Sequence, residues 1–467
     1  MFLYLIDEFE NLSETQQKYV NTLLRERQSP CSFKIGSKLF GVRTYSTYSA
    51  DEENKEGSEF EVLRLDKVLR ENDGYSDFAK KLVAKRLAEY NRVSPVPATL
   101  DAIVAALPEC FEEPEKSRLC IAETSYVIEN YSGRERPYFK KLRKYLEQGF
   151  KARSAQGLAT QSDIDTVIEL LRCSDYPLLE KVNLFIFYRE WSSKHDLIEA
   201  ARRIADECRA YIEEQNGKGR YQAVLSYFKA DLLAQLFRET DQQQRPRYVG
   251  LETFIEISSG FPRILLIILK RIFAWATFNG EQPFREKAIS MRSQRSGLLE
   301  AADWFYSDAR MIGRDGQAVS DAVNRLGTLF RGVRYSEKPS ECSCSTFSAD
   351  LSRSSESARH LVDIAEKWSL LIDVGSQRNR NTDRIDKKYQ LNRVLAPRWD
   401  LAIYRRGVLA LTPSEIDAVF DPAHADAFDG LCDARIARMS APFFGPRREP
   451  SDVDGEETLD LFGRGND

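Results

Sequence analysis

MFLYLIDEFENLSETQQKYVNTLLRER, residues 1–27, is the stretch whose reading decides the fold. Met1 to Ile6 is a near-continuous apolar run with aromatic and β-branched members, the pattern of a strand buried on both faces in a parallel sheet. It ends in Asp7 and Glu8, adjacent carboxylates at a strand's carboxyl end, the edge of an open α/β sheet where ligands bind. Ser13 with Gln16 three residues later is a capping-box start, and Tyr19, Val20, Leu23 and Leu24 then recur at helical spacing. Strand, acidic pair, loop and capped helix follow one another. A buried parallel strand rarely opens a domain, so this reading expects a further strand ahead of residue 1.

Two readings of the acidic pair stand side by side. Asp7, Glu8 and Glu10 are acids near a helix N-terminus, where the macrodipole favours them. Alternatively they form a Walker B element, in which the Asp holds Mg²⁺ and the Glu polarises the water that attacks the γ-phosphate of ATP. The rest of the chain has to separate the two.

At 467 residues and 42% hydrophobic composition, the chain has room for two to four globular domains. Its 68 basic and 72 acidic residues give a formal charge of −4, so a nucleic-acid surface has to be a local patch. Eight cysteines without CxxC spacing and three histidines argue against a zinc site or a disulfide framework. Cys342 and Cys344 read as residues of an exposed strand, and reduced thiols imply a cytoplasmic protein. The N-terminal apolar run lacks the basic flank of a signal peptide. ILLIIL at 264–269 is broken by Lys270 and Arg271, too short for a membrane span.

After the first helix, 33–45 is a glycine-interrupted β-type segment, and 59–69 alternates before entering a helix. From there to about residue 335 the 3.6-residue period dominates, the mark of a helical lid or bundle. SGFPRILLIILKRIFAWA (259–276) starts an apolar helix with Pro262, whose missing N–H is unneeded there. Arg263 in that first turn faces the positive end of the dipole; it either finds an anionic partner or is a solvated surface arginine. Residues 317–411 then give helix, short strand, helix and a long-tipped hairpin, the order of a winged helix. The hairpin carries Arg378, Arg380, Arg384, Lys387, Lys388 and Arg393 against Asp383 and Asp386, a local basic patch suited to phosphates. The helix at 356–368 mixes Arg359, His360 and Lys367 with Asp363 and Glu366, which suits DNA less well.

Taken together, LIDEFENLSETQQKYVNTLLRER, LETFIEISSGFPRILLIILK and KKYQLNRVLAPRWDL resemble the AAA+ initiator-type ATPases of the origin-recognition-complex and Cdc-six group. The resemblance is closest to their bacterial members, often found near mobile elements or phage-defence genes, and covers most of 1–412. It implies an α/β plus mostly helical fold: the remnant of a P-loop AAA+ core in 1–70, a helical lid with an insertion in 71–310, a C-terminal winged helix in 311–412, and a largely disordered extension in 413–467. It also implies ATP and Mg²⁺ as cofactors, duplex DNA as partner and possible self-association. By the same resemblance Asp7 is the metal-holding Walker B residue and Glu8 its water-orienting base, Arg263 is the lid's sensor-two arginine, and Thr44 or Arg43 ends the sensor-one strand.

The chain departs from that group in one respect: no GxxxxGK[ST] occurs in its 467 residues. A Walker B element cannot hold a nucleotide without the amides and lysine of the P-loop. The expectation is therefore a chain truncated within its ATPase domain and inactive as it stands. No arginine finger stands out between 45 and 59. The competing expectation is a non-enzymatic adaptor whose helical bundle and winged helix bind a protein. In the acidic tail, TLDLF (458–462) is similar to leucine–phenylalanine peptides that dock on the bacterial sliding clamp. Leu459, Leu461 and Phe462 are its apolar residues, with Thr458 where a glutamine is usual, so such a contact would be weak.

Overall fold

The computed structural model describes residues 2–26, 31–38, 41–49, 52–90, 99–114, 120–151, 157–192, 195–213, 219–240, 248–284, 287–309, 315–336, 345–378, 385–404 and 408–439. Cys342, Cys344, Arg380, Arg384 and the tail residues Leu459, Leu461 and Phe462 lie outside them. Among the described residues the chain is mostly helical and carries two small sheets.

β1 (Phe2–Ile6) pairs in parallel with β2 (Cys31–Ile35), Tyr4 opposite Phe33. Between them runs α1 (Glu14–Arg25), which begins with the capping box: Ser13 Oγ accepts the Gln16 N–H at 3.3 Å and Gln16 Oε1 accepts the Ser13 N–H at 2.8 Å. Val20 and Leu24 of α1 pack with Phe9 into a small core. The expected burial of β1 on both faces does not occur. Phe2, Leu3, Tyr4 and Leu5 are exposed, Leu5 at 73%. A parallel strand is covered only where layers pack on both faces, and this two-stranded ribbon has too little packed against it. The β-type segment at 33–45 is strand only to Ile35. Beyond Gly36, buried amides of α1 take over the backbone: Gln17 Nε2 donates to Gly41 O at 2.8 Å, Asn21 Nδ2 donates to Thr44 O at 2.9 Å, and Gln17 Oε1 accepts the Arg43 N–H at 2.8 Å.

α2 (Leu65–Glu71) leads into α3 (Tyr75–Tyr90) and α4 (Leu100–Ala106). α5 (Ile121–Asn130), α6 (Pro137–Lys151), α7 (Gln161–Leu171), α8 (Pro177–Ser192), α9 (Leu197–Glu213) and α10 (Arg220–Thr240) then build a separate core around residues such as Phe139, Leu146, Ile164 and Phe187. α8 is its centre. Apolar on nearly every side, it buries three polar side chains, Glu180, Lys181 and Asn183, each of them partnered, as buried polar groups must be; the Lys181 ammonium is held by Glu239 at 2.9 Å. The Glu180 carboxylate accepts from Arg136, Tyr138 and the Cys173 N–H. Asn183 donates to Leu171 O and accepts from the Tyr221 hydroxyl.

α11 (Leu251–Ile257), α12 (Pro262–Phe278) and α13 (Met291–Ala309) rejoin α3 and α4 in a second, larger core. That core continues into α14 (Gly316–Arg334), β3 (Thr346–Ala349), α15 (Glu356–Lys367), β4 (Leu371–Arg378), β5 (Ile385–Leu391), β6 (Leu409–Ala410), α16 (Pro413–Phe420) and α17 (Phe428–Met439). The sheet order is β4-β5-β3-β6, antiparallel except for β3 with β6. From α14 to β5 the order is helix, strand, helix, hairpin. One buried junction ties the two cores together. Arg334 of α14, 3% exposed, donates to Asp231 of α10 at 2.7 Å and to Asp400 O, while Gln235 of α10 donates to Ser336 O at 2.8 Å. Among the described residues no helix is long and apolar enough to cross a membrane.

Candidate functional site

β1 and β2 end side by side, and Gly36 joins them. Its N–H donates to Ile6 O at 2.7 Å, and its carbonyl accepts the Phe9 N–H at 3.1 Å. The acidic pair leaves from this edge. Asp7 Oδ1 accepts the Glu8 N–H at 2.9 Å, and the Glu8 carboxylate accepts Asn11 Nδ2 at 2.8 Å. Glu8 itself is left-handed, φ 54, a conformation that costs an L-residue about 1 kcal/mol. Strain of this kind collects at functional positions. A Cβ on Gly36 would stand 2.9 Å from Asp7 Oδ1, so glycine there keeps the space beside the carboxylate open.

Asp7 and Glu8 are both exposed. Hard carboxylate oxygens fit Mg²⁺, which takes one or two carboxylates and completes its shell with water and phosphate. Among the described residues no group of three or more His, Cys, Asp or Glu could hold a metal by itself.

The residues that follow Gly36 at this edge are Ser37 and Lys38. Sequence reasoning looked for the polar end of this strand at Thr44. A strand period that stops at a glycine was the signal for the earlier position. Thr44 instead sits over α1, its carbonyl taken by Asn21 and its hydroxyl accepting the Ser46 N–H at 3.1 Å. Arg43 donates to Glu10 O at 3.1 Å. The Lys38 N–H donates to the Glu10 carboxylate at 3.2 Å, and its ammonium lies 5.7 Å from the centre of the Trp368 ring, just past α15.

Arg263 is exposed in the first turn of α12. The turn before it is fixed by Gly260, φ +82, where a Cβ would come within 2.8 Å of Arg70 Cα in α2. The start of α12 thus rests on the helix leading out of the first sheet. Among the described residues no hydrogen bond or ion pair joins Arg263 or Thr44 to Asp7 or Glu8.

The basic residues of the hairpin differ in what is placed around them. Arg378 closes β4 opposite Ile385. Lys387 lies opposite Ser376, and Lys388 opposite Ser348; neither forms an ion pair among the described residues. Arg393 is engaged: it donates to the Glu256 carboxylate and, at 3.3 Å, to Glu256 O, pinning the hairpin's exit to α11. The basic side chains of α15 are engaged too. Arg359 donates to Ser354 O at 2.8 Å, His360 lies 3.2 Å from Asp315, and Lys367 lies 2.7 Å from Asp363. Burial, and then Asp373 nearby, raise the Glu366 carboxyl above its usual range, against the pull of Lys387.

Comparison with curated proteins and with solved structures gave no match. A protein-family model described as ORC-CDC6-like matches residues 1–411. With the match running from the acidic pair of the first strand through the C-terminal sheet, the chain belongs to the ORC-CDC6-like family.

Proposed function

We propose that this chain is a DNA-binding ATPase of the initiator type. The observation that carries the reading is the exposed Asp7–Glu8 pair at the end of a parallel strand beside Gly36, in a member of the ORC-CDC6-like family. Residues 1–70 are then part of an ATPase core, 71–310 a lid with a helical insertion, 311–412 a winged helix, and 413–467 an extension that is not disordered at its start as expected: α16 and α17 are ordered because Ile416, Phe420 and Phe428 are buried in the C-terminal core. Asp7 is placed to hold Mg²⁺ and Glu8 to orient the attacking water in ATP hydrolysis. Ser37 follows Gly36 at the end of the neighbouring strand, and Asn11 donates to the Glu8 carboxylate at 2.8 Å. Arg263, exposed at a helix start and without a hydrogen bond or ion pair among the described residues, suits a nucleotide phosphate. These residues supply the metal and water half of a site, and ATP binding needs a phosphate loop besides, since GxxxxGK[ST] does not occur here.

On this reading the lid, seated through Gly260 on α2, passes nucleotide state to the C-terminal unit. Duplex DNA is held by Arg378, Arg380, Arg384, Lys387 and Lys388, with Arg393 positioning the hairpin through Glu256. The pairing of every cation on α15 with its own neighbours favours a second reading, a protein-binding adaptor. Anisotropy of a labelled random-sequence duplex between 50 and 200 mM salt separates them. For Arg378, Arg380 and Lys388 changed together to Ala, the log–log salt slope should fall by about 2.7, or 0.9 per phosphate contact. Undetectable binding at the lowest salt leaves the adaptor, and a slope indifferent to the triple change removes the hairpin as the DNA contact.

A further inference from the structure

The insertion carries its own charge anomaly. In a chain of net charge −4, residues 134–151 contain seven basic residues against two acidic ones, Glu135 and Glu147. The structure sorts these cations. Arg136 is spent inside, on Glu180 and Ser174 O. Arg143 is held by Glu135 and Asp165, and Lys141 lies 5.9 Å from the Tyr145 ring centre. Lys140, Lys144 and Lys151 are exposed and form no ion pair among the described residues. They share one face of α6 with Gln148 at i, i+4, i+8 and i+11, so the first two ammonium stems start about 6 Å apart and the row spans about 16 Å. The opposite face is fixed in the core by Tyr138, Phe139, Leu142 and Leu146, which makes the row a rigid ruler.

A neighbouring helix could have neutralised this face. α7 packs on α6, but its carboxylates are turned to other work: Asp165 to Arg143, Glu169 to Arg172, and Asp163 to the N–H groups of Ala159 and Thr160. Three ammonium groups in a row, none in an ion pair among the described residues although Glu147 of the same helix lies one turn from Lys144 and Lys151, fit a polyanion with regularly repeated charges. Duplex DNA presents a phosphate every 3.4 Å of axis along each strand, so about 16 Å of helix follows a backbone over roughly five base pairs.

We propose that α6 is a second nucleic-acid contact, a lysine stripe on the insertion that holds duplex phosphates without reading sequence. It goes beyond the hairpin reading and does not depend on the hairpin residues. The test compares the full chain, K140Q/K144Q/K151Q and K387Q/K388Q in salt titrations on two duplexes of unrelated sequence and on phosphatidylserine-containing vesicles. Melting curves confirm that these exposed changes leave the fold intact. The stripe variant should lower the salt slope by about 2.7 on both duplexes, so between 50 and 200 mM salt it loses about 40-fold less affinity than the parent. An unchanged slope overturns the proposal, and so does a loss confined to vesicle binding. If only the stripe variant weakens DNA binding, the hairpin reading fails and the stripe stands; if only the hairpin variant does, the reverse holds.

Discussion

Replacing Asp231 by Ala should loosen the junction between the two cores more than any loss of apolar contact there. Arg334 is 3% exposed, and its charge is opposed by burial and sustained by Asp231. Without that carboxylate the guanidinium keeps the carbonyls of Asp400 and Ala230 and the Tyr335 ring, none of them a full counter-charge. Breaking a buried ion pair from one side costs 3–5 kcal/mol; the Asp231 side chain is 17% exposed, which admits some water, so about 3 kcal/mol is expected. That is a little over 100-fold in the opening equilibrium. Because separate cores need not unfold together, hydrogen exchange of peptides from α10 and α14 is the appropriate readout, with urea unfolding beside it. Removing both charges at once, Asp231→Leu with Arg334→Met, should stay within about 1 kcal/mol of the parent, since well-packed apolar replacements of buried pairs are tolerated. Exchange in D231A within twofold of the parent, or a double variant weaker than the single, would refute the argument.

Three further outcomes follow from local geometry. Gly260→Ala should destabilise by about 2 kcal/mol or more in urea unfolding, because it meets a left-handed backbone and the Arg70 backbone together. Glu8→Gly should change stability by less than about 1 kcal/mol, relief of the left-handed strain being offset by glycine's chain entropy; a loss above 2 kcal/mol would make Glu8 a structural residue. The Glu366 carboxyl is raised in the folded chain, so its charge weakens the fold at neutral pH and this penalty disappears as the group protonates. Glu366→Gln should therefore melt higher than the parent at pH 7, with the difference closing as pH falls to about 4.5 and below.

What the sequence made legible is what depends on neighbours in the chain. The capping box at Ser13 and Gln16, the start of α12 at Pro262 and the order of elements from α14 to β5 are local patterns, and the structure carries them. The burial of β1 was misread because an apolar run reports what a strand can bury, not what is packed against it. Gly36 was passed over as an interruption, although only the pairing of β2 with β1 sets it beside Asp7. Arg393 read as one more hairpin cation; its partner Glu256 is 137 residues away. The same holds for α6, whose basic run is plain in the sequence. Which of its cations are left unpaired depends on Glu180 and Asp165, contributed by other helices.

Whether the C-terminal hairpin holds duplex DNA, as proposed, is decided by lysine acetylation footprinting of the full chain at low salt, with and without a random-sequence duplex. Lys387 and Lys388 should lose reactivity on DNA binding and regain it as salt is raised, whereas Lys181, whose ammonium is held by Glu239 at 2.9 Å, should not change. Unaltered acetylation of Lys387 and Lys388 at saturating DNA would contradict the claim.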